Sequence, residues 1–276
     1  MQRLSSDKRG RKAVFMISCF MAVGVIATSL GVSGRGTQQN VNRKVLSVDD
    51  PRPLAEALTS LENRYGWVIT YEDPLYVNDG EVVDVTDSVS REPEKTQNGQ
   101  GRRVLIPKGG PLAIEYDEPS DTKRPCNPSE IVQQLIDADA KNGFAGRFRL
   151  ELAQRAIHVI PTAYTNQGGQ VVPQEPVLDA AITLPVARRS GLQTLQAICD
   201  SVSQATGTNV VVATCPTNLF AQYKDQQSAV GQKARDALQN LLDSVGGERT
   251  NLSWSCLFDP DTKTYFLNIH TVPLIK

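Results

Sequence analysis

Residues 53–71 read PLAEALTSLENRYGWVITY, and the two halves of this stretch obey different periods. Leu54, Leu58, Leu61 and Tyr65 follow one another at spacings of four, three and four, which places them on one face of a helix. Arg52-Pro53 suits the first turn, where a missing N–H costs nothing, and Gly66 suits the stop. Past that glycine, Trp67 to Tyr71 is aromatic and β-branched, the composition of a strand. A helix that turns at a glycine straight into a strand has a sheet to lie on. The stretch decides for a mixed α and β fold.

Working outward, Val45 to Val48 reads as a leading strand, Asp87 to Arg103 as a polar loop or insertion, and Val104 to Ile106 and Leu112 to Tyr116 as short strands. Asn127-Pro128-Ser129 opens a second amphipathic helix with Ile131, Val132, Leu135 and Ile136, stopping near Gly143. Phe148 to Leu152 alternates apolar and charged residues, and Ala156 to Ile160 returns beside it as a hairpin.

The same order then comes round again. After a leading strand at Ala181 to Pro185, residues 192–213 read LQTLQAICDSVSQATGTNVVVA, a helix face, a glycine stop and a β-branched strand. Ala234 to Ser244 is the next helix, and Leu252 to Phe258 with Tyr265 to Val272 closes in a hairpin. Gly66 aligns with Gly207, the helix Val132 to Asp137 with Leu238 to Asp243, and Ile157-His158 with Ile269-His270. These matches predict an α+β chain made of two copies of a small helix-strand-helix-hairpin (βαβαββ-like) module. The expected division is a first module at 45–162 with an insertion near 87–103, a linker at 163–180, and a second module at 181–276.

Ahead of the modules, Arg3, Lys8, Arg9, Arg11 and Lys12 stand against one acid, Asp7, and Ala13 to Gly34 carries no charge. A basic flank before an apolar run predicts export, with residues 1–34 a signal peptide or a membrane anchor and 35–44 a polar tether. Cutting after Ala27 or Gly34 would release the chain; otherwise residues 13–32 hold it in the inner membrane, facing the periplasm. The whole chain has 29 basic and 30 acidic residues. Without the leader the acids are in excess, which argues against nucleic acid as a partner.

The second half, from Leu192 to Ala205 through Gly207-Thr208-Asn209-Val210-Val211-Val212 to the closing hairpin, resembles the short N-terminal domain of secretins and TonB-dependent receptors. Leu54 to Leu58 with Tyr65 to Ile69 resembles the same pattern, and the Tyr-Gly-Trp-Val-Ile-Thr-Tyr run is similar to one in exported bacterial proteins. The resemblance implies a periplasmic module that docks envelope proteins and performs no chemistry. It carries over no pore and no transport, since in those families the module precedes an outer-membrane barrel or pore.

Candidate chemistry is sparse. His158 and His270 are the two histidines, and the alignment above puts them at repeat-equivalent positions, facing away from the core on ordinary strands. An exported hydrolase or metal-dependent enzyme using either one is the alternative reading. No Gly-x-Ser-x-Gly occurs, and no His pair at helical spacing supplies metal ligands, so no catalytic, cofactor or metal residues are assigned. The neighbouring carboxylates Glu72-Asp73 read as turn formers or solvated edges. Cys199 and Cys256 are candidates for a disulfide, with Cys215 the alternative partner. The expected function is a non-catalytic binding module for an envelope protein, peptide or glycan, engaged at a sheet edge or in the groove between copies.

Overall fold

The computed structural model describes residues 41–89, 103–119, 127–143, 146–225 and 228–275. The apolar run 13–34, Cys19, Cys126 and residues 90–102 of the expected insertion lie outside them. Among the described residues, no helix is long and apolar enough to cross a membrane.

The chain is mixed α+β. Strand β1 (Val41–Asp50) leads into helix α1 (Pro53–Tyr65) and strand β2 (Ile69–Glu72). A short excursion follows: β3 (Val82–Asp84), one turn of helix α2 (Thr86–Val89) and β4 (Leu105–Pro107), with β3 and β4 paired. Strand β5 (Gly110–Pro119), helix α3 (Pro128–Asn142), and strands β6 (Arg147–Leu152) and β7 (Ile157–Thr165) complete the first half. Strand β8 (Val171–Pro173) and a 3-10 turn at Val177–Asp179 lead to β9 (Ala181–Leu184), β10 (Arg189–Ser190), α4 (Gly191–Thr206) and β11 (Asn209–Thr214). The chain finishes with α5 (Thr217–Gln222), β12 (Lys224–Asp225), β13 (Ala229–Lys233), α6 (Ala234–Gly246), β14 (Asn251–Asp259) and β15 (Thr264–Val272).

Local chemistry explains the borders. Gly66, Gly143 and Gly207 end α1, α3 and α4 in the left-handed region, where a Cβ is penalised. Asn127 caps α3, and Ser190 with Gln193 forms a reciprocal capping box on α4. Two expectations are corrected. The tether expected at 35–44 already belongs to β1 from Val41. The linker expected at 163–180 contains the end of β7, all of β8 and the 3-10 turn, because Ala163 to Thr165 bonds Val171 to Pro173 as a tight hairpin.

The main sheet has seven strands in the order β11-β15-β14-β2-β7-β6, with β8 continuing beside β7. β6–β7 and β14–β15 are antiparallel hairpins, while β2 runs parallel to β7 and β11 parallel to β15. Two-stranded ribbons, β1–β5 and β9–β13, lie over the helices, so α1 with α3 and α4 with α6 are each sandwiched between a ribbon and the sheet. The halves meet where β14 pairs parallel with β2, Ser255 opposite Tyr71 and Cys256 opposite Glu72. Tyr71 belongs to the core under α1 and α3, with Leu58, Leu61 and Val132; Cys256 belongs to the core under α4 and α6, with Trp254, Leu195 and Leu238. Side chains alternate across a sheet, so the two helix pairs cover opposite faces.

Candidate functional site

His158 is buried, contrary to the exposed strand face expected for it. Its Nδ1 lies 2.6 Å from Thr70 Oγ1, and its ring stacks on Trp254 at 6.2 Å between centroids. The face of β7 that points away from α1 and α3 is covered by the other half, which sequence periodicity within one module does not reveal. Burial, with the Arg235 charge adding to it, pushes the His158 pKa down to about 4. A neutral imidazole enclosed in this way reaches no substrate.

His270 lies at a half-open position, with Nε2 2.7 Å from Glu62 Oε2. The same carboxylate is buried and accepts from the Ile69 N–H through Oε1. A cleft of about 210 Å3 adjoins the pair, and Asp50, Arg52 and Glu56 also border it. The residue across the ladder from His270 is Ser253, but its hydroxyl is fully buried and donates to the Ile69 carbonyl. The cleft sets an imidazole and a carboxylate beside the partly exposed residues Thr59 and Ser255, with the Thr59 hydroxyl donating to the Ala55 carbonyl. Among the described residues, no cluster of His, Cys, Asp or Glu is arranged to hold a metal.

The two histidines are not equivalent in register, which corrects their alignment. Ile69 pairs with Ile157, and Val210 pairs with Tyr265. Counting along each strand from these partners puts His158 level with Phe266, and His270 level with Thr162. The hairpin partners agree: Leu150 faces Val159 as Cys256 faces Leu267.

Glu72 and Asp73, expected at solvated edges or turns, are both fully buried and point apart into separate ion pairs. Glu72 Oε2 lies 2.6 Å from Arg235 Nη2, and Glu72 Oε1 accepts from the Val177 N–H. Arg235 also bonds Asp179, at 2.9 Å, and its guanidinium lies over the Trp254 ring. Asp73 takes Arg52 Nε at 2.7 Å and the Phe258 N–H at 2.9 Å, while Arg52 Nη2 donates to the Phe258 carbonyl. Burial pushes the Arg235 pKa down, but Glu72 and Asp179 outweigh it and the net shift is upward. With every carboxylate bonded to a cation or a backbone N–H, this network fastens the halves together. The alternation of acid with acid in Glu72-Asp73 was the available signal, since successive strand residues serve opposite faces.

The thiols of Cys199, Cys215 and Cys256 are free, so the expected Cys199–Cys256 bond is absent among the described residues. Both lie buried in one apolar core, as expected, where they act as small hydrophobes. Burial pushes Cys199 up to about 12, and Cys256 up as well.

What the sheet leaves open is its two ends. Among the described residues, β11 pairs with β15 alone and β6 with β7 alone. β6 carries Arg147, Arg149 and Glu151, and Arg149 is drawn to Asp179 at 2.9 Å. β11, Asn-Val-Val-Val-Ala-Thr, has no charge and no proline, and its register against β15 breaks at Ala213. Edge strands are ordinarily blunted by such residues, because an unpaired row of N–H and C=O groups templates another strand. Near the β6 end, an open cleft of about 490 Å3 is bordered by Trp67, Leu152, Arg155 and Ser129.

Compared with known proteins, the chain matches no family model, no curated protein and no solved structure.

Proposed function

We propose that this chain is an exported, non-catalytic docking protein of the bacterial cell envelope, and that it engages its ligand by strand addition at the open edge of β11. The observation that carries this is the uncharged Val210-Val211-Val212 edge, which among the described residues is paired on its β15 side alone and runs regularly as far as the register break at Ala213. Strand addition draws affinity from main-chain hydrogen bonds, so it suits an envelope protein or peptide.

The architecture supports reading the chain as two copies of one module related to the short domain of secretins and TonB-dependent receptors. The order strand, helix, strand, strand, helix, hairpin occurs at β1, α1, β2, β5, α3, β6–β7 and again at β9, α4, β11, β13, α6, β14–β15. One hydrogen bond recurs with it: Glu62 accepts from Ile69 N–H in α1–β2, and Ser203 accepts from Val210 N–H in α4–β11. On this reading, the leader at 1–34 delivers the modules to the periplasm or holds them at the inner membrane.

The alternative, an exported hydrolase or metal-dependent enzyme, now rests on His270 with Glu62. Native-gel migration of the tagged chain from gently solubilised envelopes separates the two. The docking reading expects wild type and His270→Gln in an assembly larger than the free chain, and Val211→Lys/Ala213→Lys running free. A migration that ignores the lysines, with a hydrolytic activity lost in His270→Gln, would transfer the function to the histidine.

A further inference from the structure

We infer that the strand added to β11 is β6 of a second copy of this chain, joined head to tail. This rests on the edge-docking reading above and names its partner.

The inner junction of the molecule shows what such a contact looks like. There β14, the first strand of the second hairpin, presents its outer edge to β2, the strand that follows α1, and the two pair in parallel. By the register of the hairpins, β6 holds in the first half the place β14 holds in the second: Leu150 faces Val159, and Cys256 faces Leu267. By its pairing and by the recurring helix-to-strand hydrogen bond, β11 holds the place of β2. Both strands left open at the sheet ends are thus counterparts of the two strands joined in the middle. Docking β6 of one copy on β11 of the next repeats a contact this backbone already makes. Carrying the inner register across sets Arg149 opposite Val212, as Ser255 is opposite Tyr71, and the repeat of the contact ends there, because the β11 register breaks at Ala213. The contact uses different surfaces on the two copies, so it closes into a ring or grows as a filament.

The side chains make the outer joint weaker than the inner one, since Arg147, Arg149 and Glu151 on β6 keep that edge hydrated until it docks. Glu72 and Asp73, which lock the inner joint to Arg235 and Arg52, correspond to Ala213 and Thr214, and no carboxylate takes their place. The outer joint is held by backbone hydrogen bonds and by Leu152, which is 64% exposed in the single copy. Association is therefore reversible and concentration-dependent.

Full-length chains with Cys19, Cys126 and Cys215 replaced by serine test this with a short bismaleimide. An equal mixture of Arg149→Cys and Val212→Cys chains is expected to give a covalent dimer, each alone far less, and the double variant a ladder. Adding Val211→Lys/Ala213→Lys should lower the dimer yield about tenfold, with the melting temperature unchanged. A Val212–Val212 adduct from the single variant would overturn the head-to-tail joint while leaving β11 an edge that pairs. No adduct in a chain that sediments as a monomer at rising concentration would overturn self-association. Edge docking then stands only if Val211→Lys/Ala213→Lys still releases the chain from its envelope assembly; if it does not, both readings fail.

Discussion

Arg235 of α6 bonds Glu72 at the end of β2, 2.6 Å from nitrogen to oxygen, with neither side chain exposed by more than 1%. Removing one partner strands the other charge in the core, so Arg235→Met or Glu72→Leu should each cost about 3–5 kcal/mol. Replacing both by apolar residues, as in Glu72→Leu/Arg235→Met, should recover most of that. Urea denaturation of the four proteins measures the coupling; additive losses would show that the pair contributes no joint energy.

Two buried groups give stability opposite pH slopes. His158 ionises at about 4 in the fold against an ordinary 6.5, so the unfolded chain binds the extra proton. Its contribution is complete above pH 6.5 and is lost as the pH falls towards 4, at most about 3 kcal/mol. Asp139, where burial raises the pKa to about 7 against Arg147, behaves the other way. Its carboxyl is neutral in the fold at low pH, and stability is lost as the pH rises from about 4 through 7. Asp139→Asn should therefore raise the melting temperature at pH 8 and change little at pH 4. An equal shift at both would contradict the buried neutral carboxyl.

The paired helix stops differ in their surroundings. Gly66 and Gly207 share a left-handed backbone, with φ of 69° and 70°. A Cβ on Gly66 would come within 2.6 Å of the Pro273 carbonyl, whereas one on Gly207 meets nothing within 4 Å. Gly207→Ala should cost about 1 kcal/mol, the left-handed penalty alone. Gly66→Ala should cost clearly more, or displace the segment after β15. Thermal unfolding of both variants gives the comparison.

Native alkylation followed by mass measurement should label Cys215 and spare Cys199 and Cys256, whose buried thiols are held protonated. After unfolding, all three should react without reductant. A pair that reacts only after reduction would restore the Cys199–Cys256 bond.

Much of the scaffold was legible because helix and strand periods are local. Leu54, Leu58 and Leu61 mark α1, Gly66 and Gly207 end their helices, and Phe148 to Leu152 alternates as an edge hairpin should. The strand β13 escaped notice: Ala229 to Lys233 has one apolar side chain buried, and its partner β9 is distant in sequence. The site was less legible for the same reason. His158 and Glu72 are buried by residues from the other half, and a contact between halves leaves no period in either. The register that separates His158 from His270 depends on Ile157 facing Ile69 and Tyr265 facing Val210, which only the folded sheet displays.

Recruitment of a strand by β11 is tested most directly by placing a photo-crosslinking residue at Ala213, on the open edge, and in a second strain at Asp200, on the exposed side of α4. Illumination of living cells is expected to give a discrete protein adduct from position 213, lost when Val211→Lys is added, and none from position 200. Equal adducts from both positions, or none from 213 at native expression, would contradict docking at this edge.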